Sequence, residues 1–562
     1  MNLRTSVLST IDPRRLGLFL LAGLFLLPDL FFAEGRLFGQ SLDTEGKISS
    51  RILYHQRMKT RADDVSPSEH LQKLEKLRIP RKDLGSESTA LYVSERLTAS
   101  ELRSFRSKGI RIEASSWVPP VSGQHPYGFY LAQVDYSALS VVAKEQKVVR
   151  VASLGGVLRP HNDLANAMTE VPRLHSGLSG TARRGAGVKI AIADSGLDLS
   201  HPDIPTPVEA YDVSDGTGIA EWSTDVTDHV SGHGTHVVGT AVGSGEASGG
   251  RYMGVAPDAD LYFYKIGNDD DAFTTEEDII EAVLRASEVG CDIFSMSYGG
   301  PIGPLDGSDA IDQAIDVATR RGMLCFISAG NEASSSGHHS IEVAPGESGF
   351  VDFQIDNSQG NGHYSANENF TVRWRDGAPG DGNIQLVADS LGQGESLAEQ
   401  YSESSHRGTE MRGYRLRVSV PAGSFRSYRL RLVNSASEGE TPRVHSVLVF
   451  GGGRGRFSRP DPRSTVGSPA TADSAIAVGA WTQRCCWTNW RGESWSYGRL
   501  EGRIDQLAFF SSQGPRIDGR QKPEICAPGA ATISCRDSSP AIAENMNKGH
   551  FVDNDGLNLN GD

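Results

Sequence analysis

The chain has 562 residues, with 55 Lys plus Arg against 70 Asp plus Glu, a formal net charge of −15, 63 Gly and 6 Cys. At roughly 150 residues per unit this length accommodates three or four folding units, and a hydrophobic fraction of 38% with 22% charged residues excludes wholesale disorder, a collagen-like rod and a multi-pass membrane protein. The acidic balance, with no dense basic stretch, argues against a nucleic-acid partner, and 6 Cys spread over this length do not make a disulfide scaffold.

The first residues carry Arg4, Arg14 and Arg15, then an almost unbroken apolar run from Leu16 to Leu27, then Pro28, Asp29 and a second apolar patch ending at Ala33. That order is the pattern of a secretory signal. Pro28 and Asp29 interrupt the run well short of the ~20 residues needed to span a bilayer. Residues 1–33 therefore read as a signal peptide and the mature protein as secreted, periplasmic or extracellular, with no stable membrane span. Residues 34–86 are polar and weakly periodic and read as a linker or pro-segment. From Leu91 the texture changes. Leu91 to Val93 reads as a strand, Thr98-x-x-Glu101 as a capping box opening a helix that Gly109 stops, and Ile110 and Ile112 as the next strand. A second round follows, with strands at Phe129 to Val134 and Val148 to Ala152 around a helix from Ser137 to Lys144. Two such rounds predict a small ferredoxin-like, split β-α-β unit over 87–157.

From Gly187 the same alternation recurs on a larger scale. Val188 to Ala193, Leu261 to Ile266, Cys291 to Met296 and Met323 to Ser328 are near-continuous apolar runs, as expected of parallel strands buried on both faces. Thr274-x-x-Glu277 is a capping box for a helix closed by Gly290, and Asp309 to Arg321 carries a helical apolar stripe. This predicts a doubly wound α/β sheet over 158–333. Between residues 334 and 461 the period drops to two: Val351, Phe353, Ile355; Phe370, Val372, Trp374; Tyr414, Leu416, Val418; Tyr428, Leu430, Leu432. This is the texture of an antiparallel sandwich, with Trp374 in its core. Over 462–562 the α/β texture resumes at Ser474 to Val478, so the sandwich is read as an insertion. Cys291 and Cys325 lie in apolar runs as buried free thiols; a Cys526–Cys535 bridge stays open, because geometry decides it.

Three segments carry chemistry. Asp194 ends the Val188 strand, the position where open parallel sheets build their active sites. His233 lies in Asp228-His-Val-Ser-Gly-His233-Gly-Thr-His236-Val-Val-Gly239, and Asn331 in Ser328-Ala-Gly-Asn331-Glu332 just past another strand end. His233 and His236 could be mistaken for a metal pair, but a zinc site needs a further ligand that the sequence does not place.

Together these motifs resemble the subtilisin-like serine proteases, the subtilases, across most of 158–333 and 462–536. The resemblance implies that Asp194 orients the imidazole, that His233 is the general base and that Asn331 donates to the oxyanion. It further implies that Ser297-Tyr298-Gly299 is the edge on which an extended polypeptide substrate pairs, that Ala329-Gly330 lines the pocket for the residue before the scissile bond, and that no cofactor or catalytic metal is needed. Residues 87–157 resemble the family's propeptide, an intramolecular inhibitor whose tail near Gly155 to Asn162 would occupy the cleft. The Asp- and Asn-rich run from Asp553 to Asp562 could hold a structural calcium ion, although its spacing fits no EF-hand.

The sequence departs from the family in one respect. The family's Gly-Thr-Ser-Met-Ala-x-Pro segment, which places the nucleophile at the start of a buried helix, does not occur. Gly408-Thr409-Glu410-Met411 has Glu where Ser is required, and Ser538 and Ser539 lack the surrounding motif. The expectation is an exported serine endopeptidase represented by an incomplete chain, inactive by itself and with an apolar sheet face left uncovered. The alternative is an inactive remnant that binds peptide or polymer.

Overall fold

In the computed structural model the described residues are 46–60, 74, 84–154, 157–160, 169, 171–175, 182–214, 216, 218–375, 383–439, 441–448, 454–484, 486–489, 492–496, 502–539 and 551–552. The segment 1–33 read as a signal peptide and the calcium-candidate run from Asp553 lie outside them.

Helix α1 (Ser50–Thr60) precedes a four-stranded antiparallel sheet of β1 (Ser86–Val93), β2 (Ile110–Ile112), β3 (Gly128–Asp135) and β4 (Val148–Ser153), in the spatial order β2-β3-β1-β4. Between β1 and β2 lies α2 (Ala99–Ser107), opened by the Thr98/Glu101 capping box read from the sequence. Between β3 and β4 the regular helix is only α3 (Leu139–Val142), after a 3₁₀ turn at Tyr136–Ala138. Helix α1 lies in the stretch read as a linker. It buries Ile52, His55 and Lys59, a helical spacing, but two of the three are polar and satisfied on Glu87. His55 Nδ1 lies 2.6 Å from one Glu87 oxygen and Lys59 Nζ 3.3 Å from the other. An apolar-periodicity search cannot see such a helix.

Strand β5 (Val157–Pro160) and helix α4 (Val171–His175) lead to the large sheet, built from β6 (Lys189–Asp194), β7 (Glu209–Asp212), α5 (His233–Val242), β8 (Asp260–Lys265), β9 (Thr274–Thr275), α6 (Glu276–Glu288), β10 (Ile293–Met296), β11 (Tyr298–Gly299), α7 (Ala310–Arg320) and β12 (Leu324–Ser328). Strands β7-β8-β6-β10-β12 run in that spatial order, all parallel. Successive connections leave β6 in opposite directions, so β6 is the topological switch point and Asp194 stands at its carboxyl end. The cap of α6 is Thr275 with Asp278, one residue later than expected. Thr274 is spent on the β9–β5 pairing.

The chain then enters β13 (His338–Glu342), β14 (Ser348–Asn357), β15 (Tyr364–Arg375), β16 (Ile384–Ala388), β17 (Ser396–Ser404), β18 (Thr409–Val420), β19 (Ser424–Asn434), β20 (Arg443–Leu448) and β21 (Gly455–Phe457). They form a five-stranded sheet, β13-β20-β15-β18-β17, and a four-stranded sheet, β16-β19-β14-β21, that share one apolar core including Trp374, Phe353 and Leu416. The next long strand, β22 (Ile476–Thr482), pairs in parallel with β12. Two neighbouring strands of one sheet thus flank the whole sandwich. Buried Arg373 joins the two parts, donating to the carbonyls of Gly303 at 2.6 Å and Pro301 at 2.8 Å. Burial lowers its pKa to about 10, against the opposing pull of Tyr401 and Asp309.

After the short hairpin of β23 (Trp487–Thr488) and β24 (Ser494–Trp495), strands β25 (Gln506–Leu507) and β26 (Ile525–Ala530) complete the large sheet beside β22. One face is covered by α6 and α7, which pack on Phe294, Met296, Cys325 and Ile327. On the other face α5 covers β6 and β8 through Val237, Val238 and Val242. Beyond it the described residues cover less. Leu324 and Ile525 are 48% and 47% exposed, Phe326, Ile476 and Val478 are half-buried, and no described helix lies over this row. Cys526 and Cys535 are both free thiols, the first exposed and the second buried, so the possible bridge between them is not formed. Cys291 and Cys325 are buried and free, as expected.

The sandwich carries a pH-sensitive pair. His338 Nε2 and His445 Nδ1 are 3.1 Å apart with stacked rings, and His338 Nδ1 lies 2.7 Å from the Asp461 carbonyl. Burial lowers His338 to about 4 and holds His445 well below the usual imidazole value. The unfolded chain takes up protons below ~6.5 while these rings do not, so their contribution is full above that pH and lost as pH falls. By pH 5 the loss should be about 2 kcal/mol per imidazole. Urea midpoints followed by circular dichroism should fall between pH 7 and 5, and the slope should flatten in His338→Gln.

Candidate active site

The site is assembled where β6 ends and α5 begins. Asp194 is fully buried, and its Oδ1 accepts from Ser195 N at 2.8 Å and lies 2.7 Å from His233 Nδ1. His233 is the first residue of α5. The helix starts from Gly232 in the left-handed region, φ 68°, without a side-chain cap. The approach depends on glycine at Gly234, because a Cβ there would fall 2.0 Å from the Gly196 carbonyl oxygen. A polar clasp fixes the junction: Gly234 N donates to Ser195 Oγ at 2.9 Å, Ser195 Oγ donates to Asp228 at 2.5 Å, and Asp228 accepts from Val230 N and Ser231 N. Ser195 and Asp228 were not singled out in the sequence. The signal for them was the run of small and polar residues on either side of Asp194 and His233.

The imidazole of His233 meets the edge of the Tyr298 ring, centroids 6.3 Å apart at 85°. Tyr298 is buried, donates to the Ala272 carbonyl at 3.0 Å, and has its phenol raised well above the ordinary value by burial, with Asp194 and Asp228 adding to it. Its side chain is a wall, and its backbone is the edge. Tyr298 and Gly299 pair antiparallel with Pro160 and Arg159 of β5, whose Val157 and Leu158 pair on the other side with Thr275 and Thr274. Residues 157–160 therefore lie as an extended segment between two strand edges.

Ser297, Gly330 and Asn331 line one cavity of ≈ 60 Å³ at the carboxyl ends of β10 and β12, together with Gly479 and Gly529. Ala329 is buried and donates its N–H to the Val478 carbonyl at 2.9 Å. Gly330, φ +112°, sits where a Cβ would fall 2.1 Å from Glu332 Oε2. Glu332 in turn accepts from Ser512 Oγ at 2.8 Å, and Ser512 N donates to the Gly330 carbonyl at 2.8 Å. The Phe509 to Pro515 segment thus buttresses the Ala329–Asn331 turn through Glu332 and Ser512.

Among the described residues the one group of three metal-type donors is His201, Asp203 and Cys535, which includes neither His233 nor His236. Asp203 N donates to His201 Nδ1 at 3.1 Å, which places the ring proton on Nε2 and works against metal binding there.

Asp194 and His233 are thus bonded at the switch-point crevice, beside the Tyr298–Gly299 strand edge and a cavity lined in part by Asn331. The profile of the subtilase family, peptidase S8, matches residues 185–372 and 349–551, and the chain belongs to that family of serine proteases. Subtilisin DY of Bacillus licheniformis is 35% identical over 158 residues, 28% of this chain and 52% of the relative. Subtilisin E of Bacillus subtilis is 35% identical over 166 residues, 30% of this chain and 39% of the relative. The chain thus spans about half or less of the length of these relatives. The solved CspB protease of Clostridium perfringens aligns with a TM-score of 0.48 and 18% identity over 66% of this chain and 81% of its own.

Proposed function

We propose that the protein is an exported serine endopeptidase in which Asp194 and His233 serve a serine nucleophile that these 562 residues do not contain. The observation that carries this reading is the 2.7 Å contact between His233 Nδ1 and Asp194 Oδ1. With that oxygen accepting from Nδ1–H, the imidazole presents Nε2 as a base, takes the serine proton and returns it to the leaving amine. Asn331 supplies a side-chain donor for the oxyanion. The polypeptide substrate adds as a strand along Ser297, Tyr298 and Gly299, its residue before the scissile bond in the pocket at Ala329 and Gly330. The chemistry calls for no cofactor. The unit over 87–157 acts as the chain's own inhibitor, with Val157–Pro160 occupying the substrate's place. The serine-bearing helix would pack on the open row at Leu324, Phe326 and Val478.

The test is a fluorophosphonate probe. The 562-residue polypeptide should remain unlabelled, and a stoichiometric adduct on any of its serines would defeat the assignment of the nucleophile elsewhere. Translation of the DNA beyond Asp562 should reveal Gly-Thr-Ser-Met-Ala-x-Pro in some frame, and its absence would leave the peptide-binding remnant as the surviving reading.

A further inference from the structure

The β1–β4 sheet packs on α6 and α7, with Tyr92, Phe129 and Leu131 in one apolar cluster with Ile279, Ile280 and Ile311. A second, separate contact ties the same N-terminal region to the sandwich. Helix α1 runs beside edge strand β17, and the Ser50 hydroxyl bonds to the Ser402 carbonyl while Ser402 N donates back to it at 3.0 Å. The Ser49 hydroxyl and Arg51 N both donate to Glu403. The Arg51 guanidinium lies between two carboxylates, Glu276 at 3.2 Å and Glu403 at 3.9 Å, with only 12%, 4% and 10% of the three side chains exposed. Tyr54 completes the contact against Tyr401, with Arg415 over its ring.

Three parts of the molecule meet at Arg51. Glu403 belongs to the sandwich, while Glu276 opens α6 directly after β9, the edge that pairs with β5. Helix α1 is also bound to the inhibitor-like sheet: Ile48 bridges to Val151, and His55 and Lys59 close on Glu87. A sandwich loop adds a second grip, where His406 Nε2 lies 3.1 Å from the Gln124 carbonyl.

We propose that the inserted sandwich is a retention module for the chain's own N-terminal segment 46–60. By clamping α1 through Glu403 and Tyr401, it keeps the N-terminal unit attached after the backbone between that unit and the α/β sheet is cut. This rests on the propeptide reading of 87–157 for its biological sense, but retention is read by physical association and not by inhibition. An exposed loop on a sandwich would need neither a buried cation nor two carboxylates from different units converging on it, whereas a clamp needs both for specificity.

The experiment uses the full chain with a site-specific protease sequence inserted after Ala165. Once cut, the N-terminal piece should co-elute with the remainder on gel filtration. Arg51→Ala and Glu403→Ala should each speed its dissociation at least tenfold, and the double variant should fall short of the product of the two effects, because both remove the Arg51–Glu403 contact while each also removes contacts of its own, Arg51 with Glu276 and Glu403 with Ser49. Arg51→Ala leaves the sandwich itself untouched, so the test survives if Glu403→Ala fails to fold, which circular dichroism reports. Separation of the wild-type pieces on cutting, or dissociation unchanged by Arg51→Ala, would overturn the proposal. A retained N-terminal piece that leaves the Tyr298–Gly299 edge open to an added extended peptide would instead count against the propeptide reading alone.

Discussion

Adding one methyl group at position 234 should break the Asp194–His233 hydrogen bond and destabilise the α/β unit by about 3–5 kcal/mol, the range of severe buried disruptions. The Cβ of Gly234→Ala would lie 2.0 Å from the Gly196 carbonyl oxygen and 3.0 Å from its nitrogen. The obstacle is backbone, so no rotamer change relieves it. Gly196 cannot retreat, since its own Cβ position is 2.7 Å from the Asp228 Cα. Helix α5 must therefore move outward, breaking Gly234 N to Ser195 Oγ and carrying His233 away from Asp194. The control is Gly362→Ala, which meets nothing within 4 Å and should stay within about 0.5 kcal/mol. Urea melts give the stability, and the Nδ1 proton of His233 in an NMR spectrum reports the bond. A variant that keeps that proton protected at wild-type stability would refute the close-approach argument.

The same glycines explain what the sequence did and did not disclose. Strands β6 and β8 are legible because parallel strands buried on both faces are apolar without interruption, β12 because it is equally apolar although one of its faces is open, and α6 and α7 because their stripes and caps are regular. Helix α5 was not assigned. Gly234 and Gly239 with Thr235, Val237, Val238 and Thr240 make a poor helix by intrinsic propensity. Each glycine answers a tertiary demand, Gly234 at Gly196 and Gly239 at Cys535, whose sulfur would be 2.4 Å from a Cβ. Tertiary packing decides that helix, and no local pattern could announce it. Asp194, His233, Ser297, Gly330 and Asn331 were found by motif, and the structure brings the first two into contact and the last three around one cavity. Glu332 and Ser512 escaped because they act on each other across 180 positions of chain.

On the proposed function, a serine segment laid over the half-open row from Leu324 to Ile525 would bring its hydroxyl toward His233, and that reading carries the remaining prediction. In an extended form of the protein carrying the serine segment, Asp194→Asn should lower turnover about 10⁴-fold, the scale known for this change in other triads. Asparagine can still accept from Ser195 N and from the imidazole at Oδ1. What it removes is the buried negative charge that stabilises His233 as it becomes an imidazolium, so the loss should fall on kcat with KM little changed. His233→Ala should cost at least as much, and combining the two should add almost nothing, since aspartate and imidazole act as one unit. Asn331→Ala should cost less, about 10²–10³-fold, the scale found on removing the corresponding donor from a subtilisin. Single-turnover acylation with an active ester separates these effects from product release. If Asp194→Asn lost less than tenfold, the 2.7 Å contact would be holding the fold together and contributing little to proton transfer.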